Sequence, residues 1–433
     1  MQNIPLKKYY YYYVSDVMNS KLFKSKGYPW VVITFCALFL FYKYVLQISP
    51  SVITHTLMLR FHLDGASLGN LVAMFFYAYL VVQLFAGPLL DKLGARLLTS
   101  LAILACALGA IWFSKAPTFL QAACARSLIG MGAAFATVSY MKIAAVWFKP
   151  EKFAFVSGLL ATAAMVGSMC GQLPFALMVV HWDWQSSLYY CGLFGVALAI
   201  LFYLVVRSDP SHLSGATQIE TNLNFRDMME VLKYRPNWYL MFYSGLAFSP
   251  LAVFAGLWGD SFLETAYHLS KPDAALLTSM SFLGLALGAP LLGFISDRLQ
   301  SRFGILLFGL LLSFFSLVAA LYFRDMSRWV EGTLLFFFGV GTGAFMLVFA
   351  VGKDINPLAM TATVIALINT GDALIGTFTE PLLGKLLDIF GRGKMLGGVE
   401  YFSTNDYHLA MILLPLYLII ALFFLLALKK SIR

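Results

Sequence analysis

Twelve apolar runs, each long enough to cross a bilayer core of about 30 Å as a helix, follow one another from Trp30 to the C-terminal end. They read 30–56, 66–90, 96–114, 118–147, 153–180, 185–206, 237–264, 273–296, 303–323, 329–352, 358–384 and 407–428, with polar residues gathered mainly in the short stretches between. None alternates strictly between apolar and polar residues, which excludes barrel strands. In hydrocarbon, backbone amides must pair internally, so each run has to be a helix. The pattern predicts an all-α membrane protein of twelve transmembrane helices.

Between Arg207 and Pro236 the apolar density collapses into a Ser, Asn, Asp and Glu-bearing stretch that separates six runs from six. The expected organisation is a tail (1–29), a six-helix bundle (30–206), a linker (207–236), a second six-helix bundle (237–428) and a short tail (429–433). The halves also repeat in sequence. Gly87-Pro88-Leu89-Leu90-Asp91-Lys92-Leu93-Gly94-Ala95-Arg96 returns as Gly293-Phe294-Ile295-Ser296-Asp297-Arg298-Leu299-Gln300-Ser301-Arg302, with Asp91 and Asp297 206 residues apart. Gly130-Met131-Gly132 matches Gly339-Val340-Gly341 at an offset of 209, and Pro150 and Pro174 match Pro357 and Pro381 at 207. Landmarks recurring at nearly one offset mark a duplication, and parallel six-helix repeats are a known transporter architecture.

Composition agrees: 60% of residues are hydrophobic and 12% charged, against roughly a quarter charged in soluble domains. The net charge of +9 is mostly a topology signal. With a cytoplasmic N-terminus, nineteen Lys and Arg fall on inner loops and tails and eight on outer ones, so both termini are expected in the cytoplasm of a bacterial inner-membrane protein. No separate basic domain exists to bind nucleic acid. The polar, tyrosine-rich residues 1–29 have no short apolar core with a cleavage site, which does not fit a secretory signal. Cys36, Cys106, Cys124, Cys170 and Cys191 all fall within runs without Cys-x-x-Cys spacing, so neither a disulfide framework nor a zinc site is indicated.

Three basic residues remain inside runs: Lys43, Arg126 and Lys142. A charge at the bilayer centre costs roughly 2.5–3.5 kcal/mol on insertion scales and so calls for a partner, a water-filled cavity or a function. At about 1.5 Å per residue, Lys43 lies roughly 20 Å beyond Trp30, Arg126 roughly 12 Å below Thr118, and Asp372 about 21 Å beyond Leu358, which puts all three in one layer. Lys142 emerges near the surface, where it can snorkel. Asp260, His55 and Glu380 come out near the outer interface and are expected to be solvated. Lys43, Gln47, Ser51 and His55 share one helical face, as do Asn369, Asp372, Gly376 and Glu380. Tyr42, Tyr44, Tyr77, Tyr79 and Tyr140 are deep aromatics for which helix packing is the ordinary role; Tyr140 is kept as a candidate for substrate contact.

Over residues 30 to 430 the chain resembles a major facilitator superfamily transporter. The loop signature Gly-x-x-x-Asp-Arg/Lys-x-Gly-Arg-Arg is met by Gly87, Asp91, Lys92, Gly94 and Arg96, with Ala95 replacing one Arg; the second copy keeps Gly293, Asp297, Arg298 and Arg302 but has Gln300 where Gly is usual. The fourth-helix signature Arg-x-x-x-Gly-x-Gly is met by Arg126, Gly130 and Gly132. The resemblance implies that Asp91, Lys92, Arg96, Asp297 and Arg298 latch the halves on the cytoplasmic side in one state. It also implies that helices one, four, seven and ten line a central cavity, with two, five, eight and eleven between the halves. Lys43, Gln47, Arg126 and Tyr140 are then substrate candidates. Asp372 is a candidate for proton coupling, for holding a substrate amine, or for an ion pair that only docks helices.

No phosphate-binding Gly-x-x-x-x-Gly-Lys-Ser/Thr loop occurs, so energy has to come from a gradient. The function expected is secondary transport of a small anionic or zwitterionic organic solute (amino acid, small peptide or organic acid), plausibly coupled to protons, by a monomer in lipid without cofactors. Ile48-Ser49-Pro50-Ser51-Val52 and Trp147-Phe148-Lys149-Pro150-Glu151 resemble a bacterial branch of the family, with a fainter likeness to the animal lysosomal dipeptide transporter. A drug exporter is the first alternative, although the fifth run lacks the Gly-Pro element typical of proton-coupled exporters. A solute sensor on the same scaffold is the second. An enzyme is not expected, because the six histidines are scattered without catalytic or metal-binding spacing.

Overall fold

The computed structural model describes residues 27–148, 150–207, 231–323, 326–357, 360–391, 395–396 and 399–432; the side chain of Asp91 lies outside the described residues. Among these, twelve long helical segments run back and forth: α1 (Tyr28–Phe61), α2 (Gly65–Leu93), α3 (Ala95–Lys115), α4 (Phe119–Trp147), α5 (Pro150–Trp182), α6 (Trp184–Val205), α7 (Arg235–Tyr267), α8 (Lys271–Leu299), α9 (Arg302–Tyr322), α10 (Arg328–Ile355), α11 (Thr361–Gly391) and α12 (Thr404–Ile432). Eleven of them are long and apolar enough to cross a membrane. The exception, α11, has the length at 31 residues but carries Asp372, Glu380, Lys385 and Asp388. A two-residue hairpin, Met395–Leu396 with Val399–Glu400, lies between α11 and α12. The protein is an integral multi-pass membrane protein.

Helix starts alternate between two faces. The face where α1 starts and α12 ends is the terminal face, and the other the opposite face. Helices entering from the opposite face begin on short connections, where their first amides need acceptors. Side chains supply them: Asp64, Thr118, Asp183, Ser270 and Ser327 cap α2, α4, α6, α8 and α10, and Ser403 with Asp406 forms a capping box on α12.

The duplication is visible in three dimensions. Gly130 lets α4 press onto the Phe75 backbone of α2, and Gly339 lets α10 press onto Ser281 of α8; a Cβ at either would stand on a carbonyl oxygen. Gly132 and Gly341 do the same against α3 and α9. Small residues at such crossings let lipid-embedded helices approach closely. The outer parts of α1 and α7 also correspond. Both helices break at one repeat position, α1 as a 3-10 turn at Ser49–Ile53 and α7 as a π turn at Phe254–Trp258, and the two breaks touch. Both end on a left-handed histidine, His62 and His268, each with φ of 52°. The underlying repeat, Phe61-His62-Leu63 and Tyr267-His268-Leu269, carries no charge and escapes a search keyed on charged signatures.

Between the halves, α2 meets α11 and α5 meets α8. On the opposite face this seam is tight. Gly65 lies against the Gly384 backbone and Gly69 against Glu380 and Pro381. The Asp388 carboxylate accepts from the Gly65 and Ala66 amides at 2.6 and 2.9 Å, so an acid of α11 neutralises the N-terminus of α2. Thr54 and Ser261 share a hydroxyl hydrogen bond, and Lys271 reaches Thr56 at 3.3 Å. Large apolar side chains such as Leu84, Phe315 and Phe423 are exposed and cover the lipid-facing surface.

Candidate functional site

Beneath the closed opposite face, two adjoining cavities of ≈ 160 Å³ and ≈ 110 Å³ lie between the halves and share Tyr44, Gln47, Phe76, Phe248, Ala252, Asn369, Asp372 and Glu380. They form one chamber with chemically unlike walls. The first half contributes Lys43, whose ammonium lies 3.7, 5.3 and 5.9 Å from the ring centres of Tyr44, Tyr79 and Phe75. Ring faces carry partial negative charge and favour a cation. They do not neutralise it, and among the described residues no carboxylate lies within ion-pair distance of Lys43, which is 5% exposed. One turn further along α1, the Gln47 amide oxygen is buried without a hydrogen-bond partner.

The facing wall is acidic. Asp372 on α11 accepts from the Ser244 hydroxyl of α7 at 2.5 Å, and Asn369 stands one turn away. Two turns further along α11, Glu380 is 3% exposed, lines both cavities and leaves Oε2 without a partner. Its solvation at the outer interface was expected from its place in the run, and the structure corrects that. Position along one helix does not register that α2 and α7 cover it: Gly69 presses on its backbone, and the Trp258 indole donates to its carbonyl at 3.2 Å.

Of the sequence-derived candidates, Lys43, Gln47 and Asp372 come together in this chamber. Arg126 does not line it. Its guanidinium lies behind the Phe75 ring, 5.2 Å from the centroid, and donates to the carbonyls of Leu46 at 2.9 Å and Val72 at 3.3 Å. The first of these acceptors has a clear origin. Pro50 has no N–H, so the Leu46 carbonyl four residues earlier loses its helical donor, and Arg126 takes that place. Tyr140 lies away from the chamber, with its hydroxyl committed to the Val156 carbonyl of α5 at 2.7 Å.

The loop signatures stand on the terminal face. Gly94, with φ of 79°, joins α2 to α3 in a single residue, and Gln300 takes the corresponding left-handed turn at 50° with its side chain bonded to the Asp297 carbonyl at 2.6 Å. Arg96 donates to the Tyr203 carbonyl at 2.7 Å and stacks on that ring, which ties it to α6 of its own half. Lys92, Asp297 and Arg298 are exposed, and a Cβ on Gly87 or Gly293 would meet no heavy atom within 4 Å. Here Lys92, Asp297 and Arg298 are not pressed against the other half. Asp260, expected to be solvated, is 1% exposed with both carboxylate oxygens unpartnered. Among the described residues no group of three or more His, Cys, Asp or Glu could hold a metal ion.

A family model described as Major Facilitator Superfamily matches residues 30–262. A probable L-galactonate transporter of Escherichia coli (strain K12) is 26% identical over 269 residues, 59% of this chain and 59% of that protein. A hexuronate transporter of Bacillus subtilis (strain 168) is 23% identical over 247 residues, 55% of this chain and 58% of that one. The chain thus spans less than two thirds of the length of either curated relative. Among solved structures, a bacterial homologue of the human lysosomal transporter Spinster superposes with a TM-score of 0.75 at 17% identity, over 94% of this chain and 98% of that one, a likeness of fold.

Proposed function

This chain belongs to the Major Facilitator Superfamily, and on that premise we propose that it carries a small organic anion, a polyhydroxy carboxylate of the sugar-acid type, across the bacterial inner membrane by alternating access. The observation that carries this reading is the Lys43 ammonium, buried at the chamber wall without an anionic partner. A solute carboxylate completes that charge, and a charge-assisted hydrogen bond there contributes about 1.5–3 kcal/mol. Gln47, Asn369 and Asp372 offer acceptors and donors to solute hydroxyls along the chamber wall. The relatives named for L-galactonate and hexuronate support the same chemistry, since both solutes combine one carboxylate with several hydroxyls.

In this reading both chain ends face the cytoplasm, and the closed opposite face is the external one. The structure then corresponds to a carrier closed to the outside. The signature loops of Asp91 and Asp297 are free to latch once the cycle turns. Asp372, held by Ser244 across from Lys43, is the site assigned to proton coupling. Arg126 supports the cationic wall from behind Phe75 rather than touching solute, and Tyr140 docks helices.

The test is a thermal-shift series on the purified carrier, because a ligand that binds only the folded form raises its apparent stability. Hexonates and hexuronates are expected to raise the melting temperature, while the matching neutral polyols and hexoses leave it unchanged. A shift produced equally by neutral sugars would remove the anion-carrier reading.

A further inference from the structure

The chamber leaves one buried acid unexplained. Asp260 follows directly on the π turn of α7, lines neither part of the chamber, and is buried where α1, α7 and α8 close the opposite face. Both carboxylate oxygens lack a hydrogen-bond partner. The hydroxyls of Thr278 on α8 and Ser51 on α1 face it, close enough to favour its charge weakly but outside hydrogen-bond geometry. Thr278 donates to the Ala274 carbonyl, whereas the Ser51 oxygen, 1% exposed, is itself unpartnered. The charged and titratable groups around it do not compensate. Glu264, one turn out on α7, is a second acid; His55 is one turn out on α1; Lys271 of α8 is bonded to Thr56; Glu331 of α10 accepts from Tyr267; Glu380 of α11 lies beyond Trp258.

An ionised carboxylate held this way, without a cation and without a well-formed hydrogen bond, opposes closure, because removing a charge from water costs several kcal/mol unless it is paired. A neutral carboxyl does not oppose it. It can donate its proton to the orphan Ser51 oxygen across the α1–α7 seam, beside the Thr54 and Ser261 contact that joins the halves. We propose that Asp260 is a proton-binding site, separate from the chamber, whose loading closes the opposite face. When that face opens, the carboxyl meets water and gives the proton up to it; on closing it takes one back from the same side. This inference rests on alternating access and is independent of which solute is carried.

The experiment measures the distance between nitroxides placed at Arg60 on α1 and Thr265 on α7, in the full chain reconstituted in nanodiscs without solute, across a pH series at constant sodium. Short distances are expected at acid pH. Above the transition, the open-to-closed ratio should rise about tenfold per pH unit, the slope for one proton. Asp260→Asn is expected to hold the short distance at every pH. Asp260→Glu restores the response with a displaced midpoint, and serves as the reading should the Asn variant fold poorly. No solute is present in this experiment, so failure of the solute reading leaves this one standing. An unchanged midpoint in the Asp260 variants, or closure driven by sodium at fixed pH, would overturn the proposal.

Discussion

Among the described side chains, the first six helices bury Lys43 and Arg126 and no acid, whereas the second six bury Asp260, Glu331, Asp372, Glu380 and Asp406 and no Lys or Arg. The two halves nonetheless share their backbone devices. The Gly-x-Gly crossings, the breaks in α1 and α7, the left-handed histidines and the capped entries of α2 and α8 recur at corresponding places. The charges do not. An offset of 206 puts Ser249 where Lys43 would recur and pairs Asp260 with Thr54, and the offset of 207 pairs Glu380 with Leu173. Repetition therefore marks what the fold requires, and departure from it marks where the two walls of the chamber differ, one cationic and one acidic.

The largest effect expected tests the shared part. Gly130→Leu and Gly339→Leu each drive a side chain into the backbone of the facing helix, and overpacking of this kind costs about 3 kcal/mol or more where the backbone cannot retreat. Both variants should lose folded carrier to a similar degree, read as the monodisperse fraction in size-exclusion chromatography. A large difference between them would break the equivalence of the halves.

A smaller effect sharpens the unshared part. Arg126→Met removes donors from the Leu46 and Val72 carbonyls while keeping an apolar stem behind Phe75. It is expected to lower carrier stability by about 1–3 kcal/mol, the loss of hydrogen bonds from a charged group, with the Leu46 carbonyl keeping the Ser49 hydroxyl at 3.3 Å. Solute affinity in the surviving protein should fall less than in a Lys43 variant. A loss of affinity equal to that at Lys43, with stability unchanged, would return Arg126 to direct contact with solute.

The helices were legible because lipid imposes a simple rule on them, and the observed spans follow the apolar runs to within a few residues at most ends. The exceptions are instructive. α1 continues to Phe61 and α7 to Tyr267, past the expected ends at 56 and 264, because amphipathic outer turns bury one face against the other half. The same oversight displaced Asp260 and Glu380 to solvent: depth along one helix is readable in sequence, while cover by a neighbouring helix is not. Lys43, Gln47 and Asp372 were placed together because a shared depth and a four-residue stripe were enough. Depth and the cavity-lining position that the family resemblance implies for the fourth helix put Arg126 in the chamber. Pro50 was the available signal that a carbonyl on α1 needed a donor. The Asp388 clasp on α2 joins residues 323 apart, and no local pattern announces it.

The account turns on Lys43 as the anion anchor, and solute counterflow into proteoliposomes tests it most directly. Wild-type carrier loaded with unlabelled D-glucuronate is predicted to accumulate labelled D-glucuronate, with Lys43→Gln reduced about 10- to 100-fold in apparent affinity, the loss of one charge-assisted hydrogen bond. Equal accumulation at equal affinity by the wild-type and Lys43→Gln carriers would contradict it.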